Sequence, residues 1–246
     1  MRILWDNEFD KHMITPASEH GGYPATNVQD TRLSRYTRTT AVDNQTWKIN
    51  MTAALEFSCC VIAGHNITAA ATIKIQASNN DFVAIPFESV IPHNTGHMVH
   101  FFTPGASYKD WRFFVHDPTN TDLYIKISRL FLGTYLTIEK GPYREFTDEP
   151  IDTSRATTSQ TGQVYGDKGI VLKRYSLEFK KWTHAMVEQI KTMFESVKMV
   201  DTFFLLIDEN NQDKLPPLYC RIEEHAGYSH LSYWQYRGSI TFLEAR

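Results

Sequence analysis

Between residues 40 and 135 one pattern keeps returning: short runs in which apolar and polar side chains alternate, closed off by small polar turns. Thr72-Ile73-Lys74-Ile75-Gln76 is one such run, Leu123-Tyr124-Ile125-Lys126-Ile127-Ser128-Arg129-Leu130 is another, and Ser78-Asn79-Asn80-Asp81 is one of the turns. Successive side chains of a strand point to opposite faces, so this alternation puts one face in a core and leaves the other wet. Short strands at this spacing, with no long helical stretch among them, predict an antiparallel sandwich over about residues 1–137. An aromatic content of 13% suits the same reading, because aromatic rings pack well on pleated surfaces.

The pattern then breaks. Nine of the twenty residues from Pro150 to Gly169 are Ser, Thr or Gly, and residues 138–169 are expected to form a linker or long loop. A second unit over residues 170–246 opens with a strand-like Ile170 to Phe179. Its period then changes to three and four at Met186, Ile190, Met193 and Val197, which predicts one amphipathic helix with Thr183 as its N-cap. Phe203 to Ile207, Leu218 to Glu224 and Ser232 to Glu244 read as strands. The expected fold is mainly β: an N-terminal jelly-roll β-sandwich, then a C-terminal β-sandwich carrying one α-helix.

With 25 Lys and Arg against 28 Asp and Glu, the net charge of -3 gives no field for gripping a phosphate backbone, which excludes nucleic acid as the main partner. Ile3-Leu4-Trp5 is followed at once by acids, so no secretory core is read there, and no run of eighteen apolar residues occurs. Synthesis in the cytoplasm is expected, with Cys59, Cys60 and Cys220 reduced and buried.

No catalytic constellation stands out in the sequence. His93, His97 and His100 have helical spacing, but Pro92 and Gly96 break a helix there and point to a polar loop. Asp208 to Asp213 lacks the glycine and the bidentate Glu of a calcium loop and reads as a hairpin loop. His184 and Glu188 stand one turn apart with no third ligand. Nucleophile elbows, phosphate loops and dinucleotide fingerprints do not occur in the sequence. The expectation is a protein that is not an enzyme and takes no cofactor or metal. The most unusual segment is Thr31 to Thr40, where Arg32, Arg35 and Arg38 interleave with Tyr36. It is readable as a structural arginine network or as a grip on an acidic sugar, with Trp5, Tyr23 or Trp47 as the aromatic partner.

Several stretches, taken in order, are familiar: Ile3 to Asn7, Tyr23-Pro24-Ala25-Thr26-Asn27-Val28-Gln29-Asp30, Arg32 to Arg38, Ala63-Gly64-His65-Asn66-Ile67 and Ala71 to Gln76. With Trp111-Arg112-Phe113-Phe114 and Ile127 to Gly133, this order resembles the discoidin-like, galactose-binding-like jelly rolls of tailed-bacteriophage structural proteins. Element order after residue 170, ending in Tyr236 to Glu244, is similar to the tail-tube-like fold of phage tube, distal tail and tip proteins.

The resemblance implies a virion structural protein of the distal tail or tail tip and baseplate. It would act in tail assembly and in host attachment or genome delivery, with tube, tip or hub proteins as partners. It further implies self-association into a ring in the virion. Tyr228, Tyr233, Trp234, Tyr236 and Phe242 crowd fifteen residues of the last strands, and Tyr233, Trp234 and Tyr236 are the expected interface. The alternative is a carbohydrate-binding module for a bacterial surface glycan, held by Arg32, Arg35 and Arg38.

Overall fold

The computed structural model describes residues 1–138, 146–208, 211–212, 214–232 and 235–246. Contacts divide the chain into two compact units: Ile3–Leu136 with Asn210–Pro217, and Thr137–Glu209 with Leu218–Ala245 and Met1–Arg2. The chain is mainly β, and α1 (His184–Val197) is the α-helix among the described residues.

The chain opens with β1 (Arg2–Leu4). The first unit then runs through β2 (Ile14–Pro16), β3 (Thr37–Arg38), β4 (Gln45–Leu55), β5 (Cys59–His65), β6 (Thr72–Ser78), β7 (Phe87–Val90), β8 (Met98–Phe101), β9 (Tyr108–His116) and β10 (Lys126–Gly133), with β11 (Leu136–Thr137) after it. Two sheets form, one ordered β2-β4-β9-β6-β7 and the other β3-β10-β5-β8. All their described pairings are antiparallel.

Period 2 in the sequence becomes a wall of side chains between these sheets. Trp47, Ile49 and Met51 from β4 meet Trp111, Phe113 and Val115 from β9 and Ile73 and Ile75 from β6 in one buried cluster. Cys60, Ile62, Ile127, Leu130 and Leu132 supply the opposing layer. Fully burying each large apolar side chain contributes about 1.5–3 kcal/mol. β10 is buried along both faces, because the 3₁₀ turns Glu8–Asp10 and Ala25–Gln29 pack against it. Asn7 fixes that packing: its Nδ2 donates to the Leu130 carbonyl at 2.9 Å and its Oδ1 accepts from the Leu132 amide at 3.0 Å.

The strand expected from Leu123 begins three residues later, at Lys126. Leu123 instead closes a turn, its amide on the Asn120 carbonyl at 3.1 Å and its φ at 62°.

In the second unit β12 (Phe146–Asp152), β13 (Arg155–Thr158), β14 (Val164–Asp167), β15 (Val171–Trp182), β16 (Phe203–Leu206), β17 (Leu218–Ser232) and β18 (Gln235–Glu244) follow. β16-β17-β18-β15-β12 are neighbours in one sheet, and β13 pairs with β14 as a separate hairpin. The helix starts where its cap predicts, the Thr183 hydroxyl accepting from the Met186 amide at 3.4 Å. Val187, Ile190, Met193 and Val197 form its buried face; Met186 is only half-buried.

The linker expected over 138–169 is corrected by these strands. β12 takes seven rungs of pairing with β15, and 155–167 form the hairpin. Strands such as β13 and β14, exposed on both faces, have no buried alternation to show, so composition alone reads the segment as loop.

Candidate ligand-binding recess

Between β2 and β4 the chain forms a long excursion, Ala17 to Asn44, interrupted by the 3₁₀ turn Ala25–Gln29 and by β3. Its two ends are tied together by backbone hydrogen bonds: Arg38 donates to the Tyr23 carbonyl at 3.1 Å and His20 to the Arg38 carbonyl at 2.8 Å. Asn27 Nδ2 spans the loop to the Tyr36 carbonyl at 2.8 Å. Glu19 accepts from the Ala25 amide at 2.8 Å and so holds the start of the 3₁₀ turn.

These ties bring Tyr23 and Tyr36 face to face, with centroids 4.7 Å apart and planes inclined by 12°. Lys126 Nζ lies 4.4 Å over the Tyr36 ring, which uses a cation–π contact to hold the second face. The Tyr23 side chain hydrogen-bonded beside it pushes the Tyr36 phenol above its ordinary value. A recess of about 290 Å³ opens at this pair, bordered by Gly22, Tyr23, Pro24, Asn27, Ser34, Arg35 and Tyr36.

The three arginines do not act together. Arg32 is spent on Asp30, to which it donates from Nε at 2.9 Å and from Nη2 at 2.7 Å. Those hydrogen bonds hold the Asp30 carboxyl well below the usual range. Arg38 lies 3.8 Å over the Tyr124 ring. Only Arg35 borders the recess, its Nε 3.4 Å from the shared Asp30 and its side chain 56% exposed. Two guanidinium groups on one carboxylate leave the rim with one unit of positive charge.

Among the aromatic candidates, Trp47 is fully buried in the core and Tyr23 borders the recess. Asn27 and Ser34 were not legible as site residues; an amide two turns of sequence away from the arginines carries no signal until the loop folds back. Tyr233 and Trp234 lie outside the described residues. Tyr236 sits in β18 half-buried, its hydroxyl 3.2 Å from His184 Nδ1 and its ring 4.5 Å from that of His230.

Two histidines of the 93–100 segment have partners of another kind. His93 Nε2 meets the Ile67 carbonyl at 3.0 Å and His100 Nε2 the Ser89 hydroxyl at 2.7 Å. No group of three metal-ligating side chains converges among the described residues. Glu209, Asn210 and Asp213 of the expected 208–213 hairpin loop lie outside the described residues.

The first unit is a jelly-roll sandwich. The chain is similar to the family 32 carbohydrate-binding module of C. perfringens NanJ in complex with galactose, with 17% identity and a TM-score of 0.43, over 55% of this chain and 100% of that one. A Streptococcus pneumoniae fucose-binding module is matched at 11% identity and a TM-score of 0.42, over 52% of this chain and 95% of that one. The lectin domain of Lectinolysin complexed with Lewis B antigen is matched at 12% identity and a TM-score of 0.40, over 50% of this chain and 92% of that one. No protein-family model and no curated protein matches the chain.

Proposed function

We propose that the first unit is a glycan-binding module and that it works by binding, without catalysis. The observation that carries this reading is the recess at the Tyr23–Tyr36 stack, where flat rings, one guanidinium, one amide and one hydroxyl converge on a volume of about 290 Å³. Sugar recognition needs an apolar surface for the C–H face of a pyranose and a few fixed polar groups for its hydroxyls; with both faces of Tyr36 taken by Tyr23 and Lys126, that surface falls to Tyr23 and Pro24, beside Arg35, Asn27 and Ser34. Its tied loop holds them in place before a ligand arrives, which lowers the ordering cost of binding. One net positive charge on the rim favours a sugar carrying a carboxylate over a neutral one. Glycan-array binding tests the reading. Arg35→Ala should abolish array signals while leaving the melting temperature within a degree or two, and retained binding in that variant contradicts it.

A second reading concerns where the module acts: as part of a tailed-phage virion, at the distal tail or tip, built into a ring with other copies and with tube or hub proteins. The sequence resemblance motivates it, and the β13–β14 hairpin supports it. All eight strand residues of that hairpin are exposed, with Val164 68% and Tyr165 61% accessible. A lone two-stranded hairpin is marginal in water, so an arm of this kind suits a place against another subunit. Electron microscopy of virions labelled on this chain checks the location, and its absence from the particle overturns this reading.

A further inference from the structure

The second unit contains a recess of about 350 Å³ where β15, β17 and β18 meet. Three irregularities coincide there. β15 bulges between Lys180 and Trp182, with Lys181 at φ 67°. β17 bulges between His225 and Tyr228, with Gly227 at φ 77°. Gly238 faces that second bulge so closely that a Cβ on it would lie 2.9 Å from the Gly227 carbonyl oxygen. Bulges re-aim side chains and concentrate beside functional sites, and paired glycines let two backbones close the floor of a recess without side chains in it.

The charges around this recess are unusual. Register puts Lys180 directly opposite Arg237, at a separation of about 5 Å between Cβ atoms for such pairs. Like charges so placed repel each other. Neither cation has a carboxylate within ion-pair distance among the described residues. Arg237 is not loose: its Nε donates to the Ser229 hydroxyl at 2.9 Å, which leaves its terminal nitrogens for another acceptor. Glu178 stands two residues before Lys180 on the same face of β15, opposite Ser239, so an acid end adjoins the cationic end of the recess.

We propose that this recess binds a sugar-sized ligand carrying one acidic group, carboxylate or phosphate. The acidic group bridges Lys180 and Arg237 and turns their repulsion into attraction. Glu178 and Ser239 accept from and donate to the ligand's hydroxyls. The site belongs to the second unit and is independent of the Tyr23 recess.

The test is an NMR titration of the full chain with glucuronate, glucose 6-phosphate and glucose, at low salt. Both acids should shift amides of 178–180 and 237–239, and glucose should not; equal shifts from glucose, or none from either acid, overturn the proposal. Arg237→Gln and Lys180→Gln should each weaken the binding at least fivefold, whereas Arg237→Lys keeps more than half of it. Should Arg237→Gln unfold the unit, Lys180→Gln alone decides, because Lys180 is exposed and forms no ion pair among the described residues. Unchanged affinity in Lys180→Gln contradicts the assignment. A Tyr23→Ala background should leave these shifts unaltered, and their loss in it also contradicts the assignment.

Discussion

Asp10 and Arg129, 119 residues apart in sequence, form a two-pronged ion pair with Nη1–Oδ1 at 2.6 Å and Nη2–Oδ2 at 2.5 Å. The Arg129 side chain is 4% exposed, and its Nη1 also donates to the Val28 carbonyl at 3.0 Å. One guanidinium therefore joins both 3₁₀ turns to β10. Removing the carboxylate leaves the buried guanidinium short of an acceptor, but Asp10 is 34% exposed and the Val28 carbonyl stays, so Asp10→Ala should cost about 1–3 kcal/mol in urea unfolding. A loss under 1 kcal/mol would show that the pair is not structural.

Gly64 sits in β5 at φ 63°, and a Cβ there would lie 2.5 Å from Ser128 Oγ. Gly64→Ala combines backbone strain of about 1–2 kcal/mol with overpacking of about 1–3 kcal/mol. Ser128→Gly placed in the same chain should recover the overpacking and leave the strain. Strict additivity of the two losses in a double-mutant cycle would rule this out.

Stability should fall between pH 7 and 5, in part through His65. Its Nδ1 accepts from the Ile67 amide at 3.2 Å and its Nε2 reaches the Gly96 carbonyl at 3.0 Å, which requires the neutral ring. Burial lowers its folded pKa, so the unfolded chain takes up the proton first as pH falls. The contribution is complete above the unfolded value of about 6.5, and it is lost as pH drops through that value towards the folded one. His100, also lowered by burial, acts in the same direction. Melting temperatures across this range should show a smaller slope for His65→Gln than for the parent chain.

Deleting residues 155–167 should leave the melting temperature nearly unchanged, because no residue of the β13 and β14 strands is buried. A first proteolytic cut between Pro150 and Gly169 follows from the same exposure. Initial cleavage inside β6 or β9 would contradict it.

Where burial is one-sided, the sequence carried the structure plainly. The alternation in Gln45 to Met51 became a strand with Trp47, Ile49 and Met51 inward, and the spacing of Ile190, Met193 and Val197 became a helix face. Where burial is two-sided or absent, the pattern vanishes: β10 is buried from Ile127 to Gly133, and β13 and β14 are wholly exposed. The recess was legible only in part. Tyr23 and Arg35 stood out as residue types, but the grouping of three arginines did not survive, since Asp30 captures Arg32 and Tyr124 covers Arg38. Such choices depend on pairings across a fold, and no local spacing encodes them.

The central claim is that the Tyr23–Tyr36 recess holds a sugar. Chemical-shift mapping of the chain against the best glycan from an array tests it most directly. Perturbations should centre on Gly22, Tyr23, Asn27, Arg35 and Tyr36, and binding should weaken at least tenfold in Tyr23→Ala. Perturbations that fall elsewhere on the first unit, or full-strength binding by a folded Tyr23→Ala chain, would contradict it.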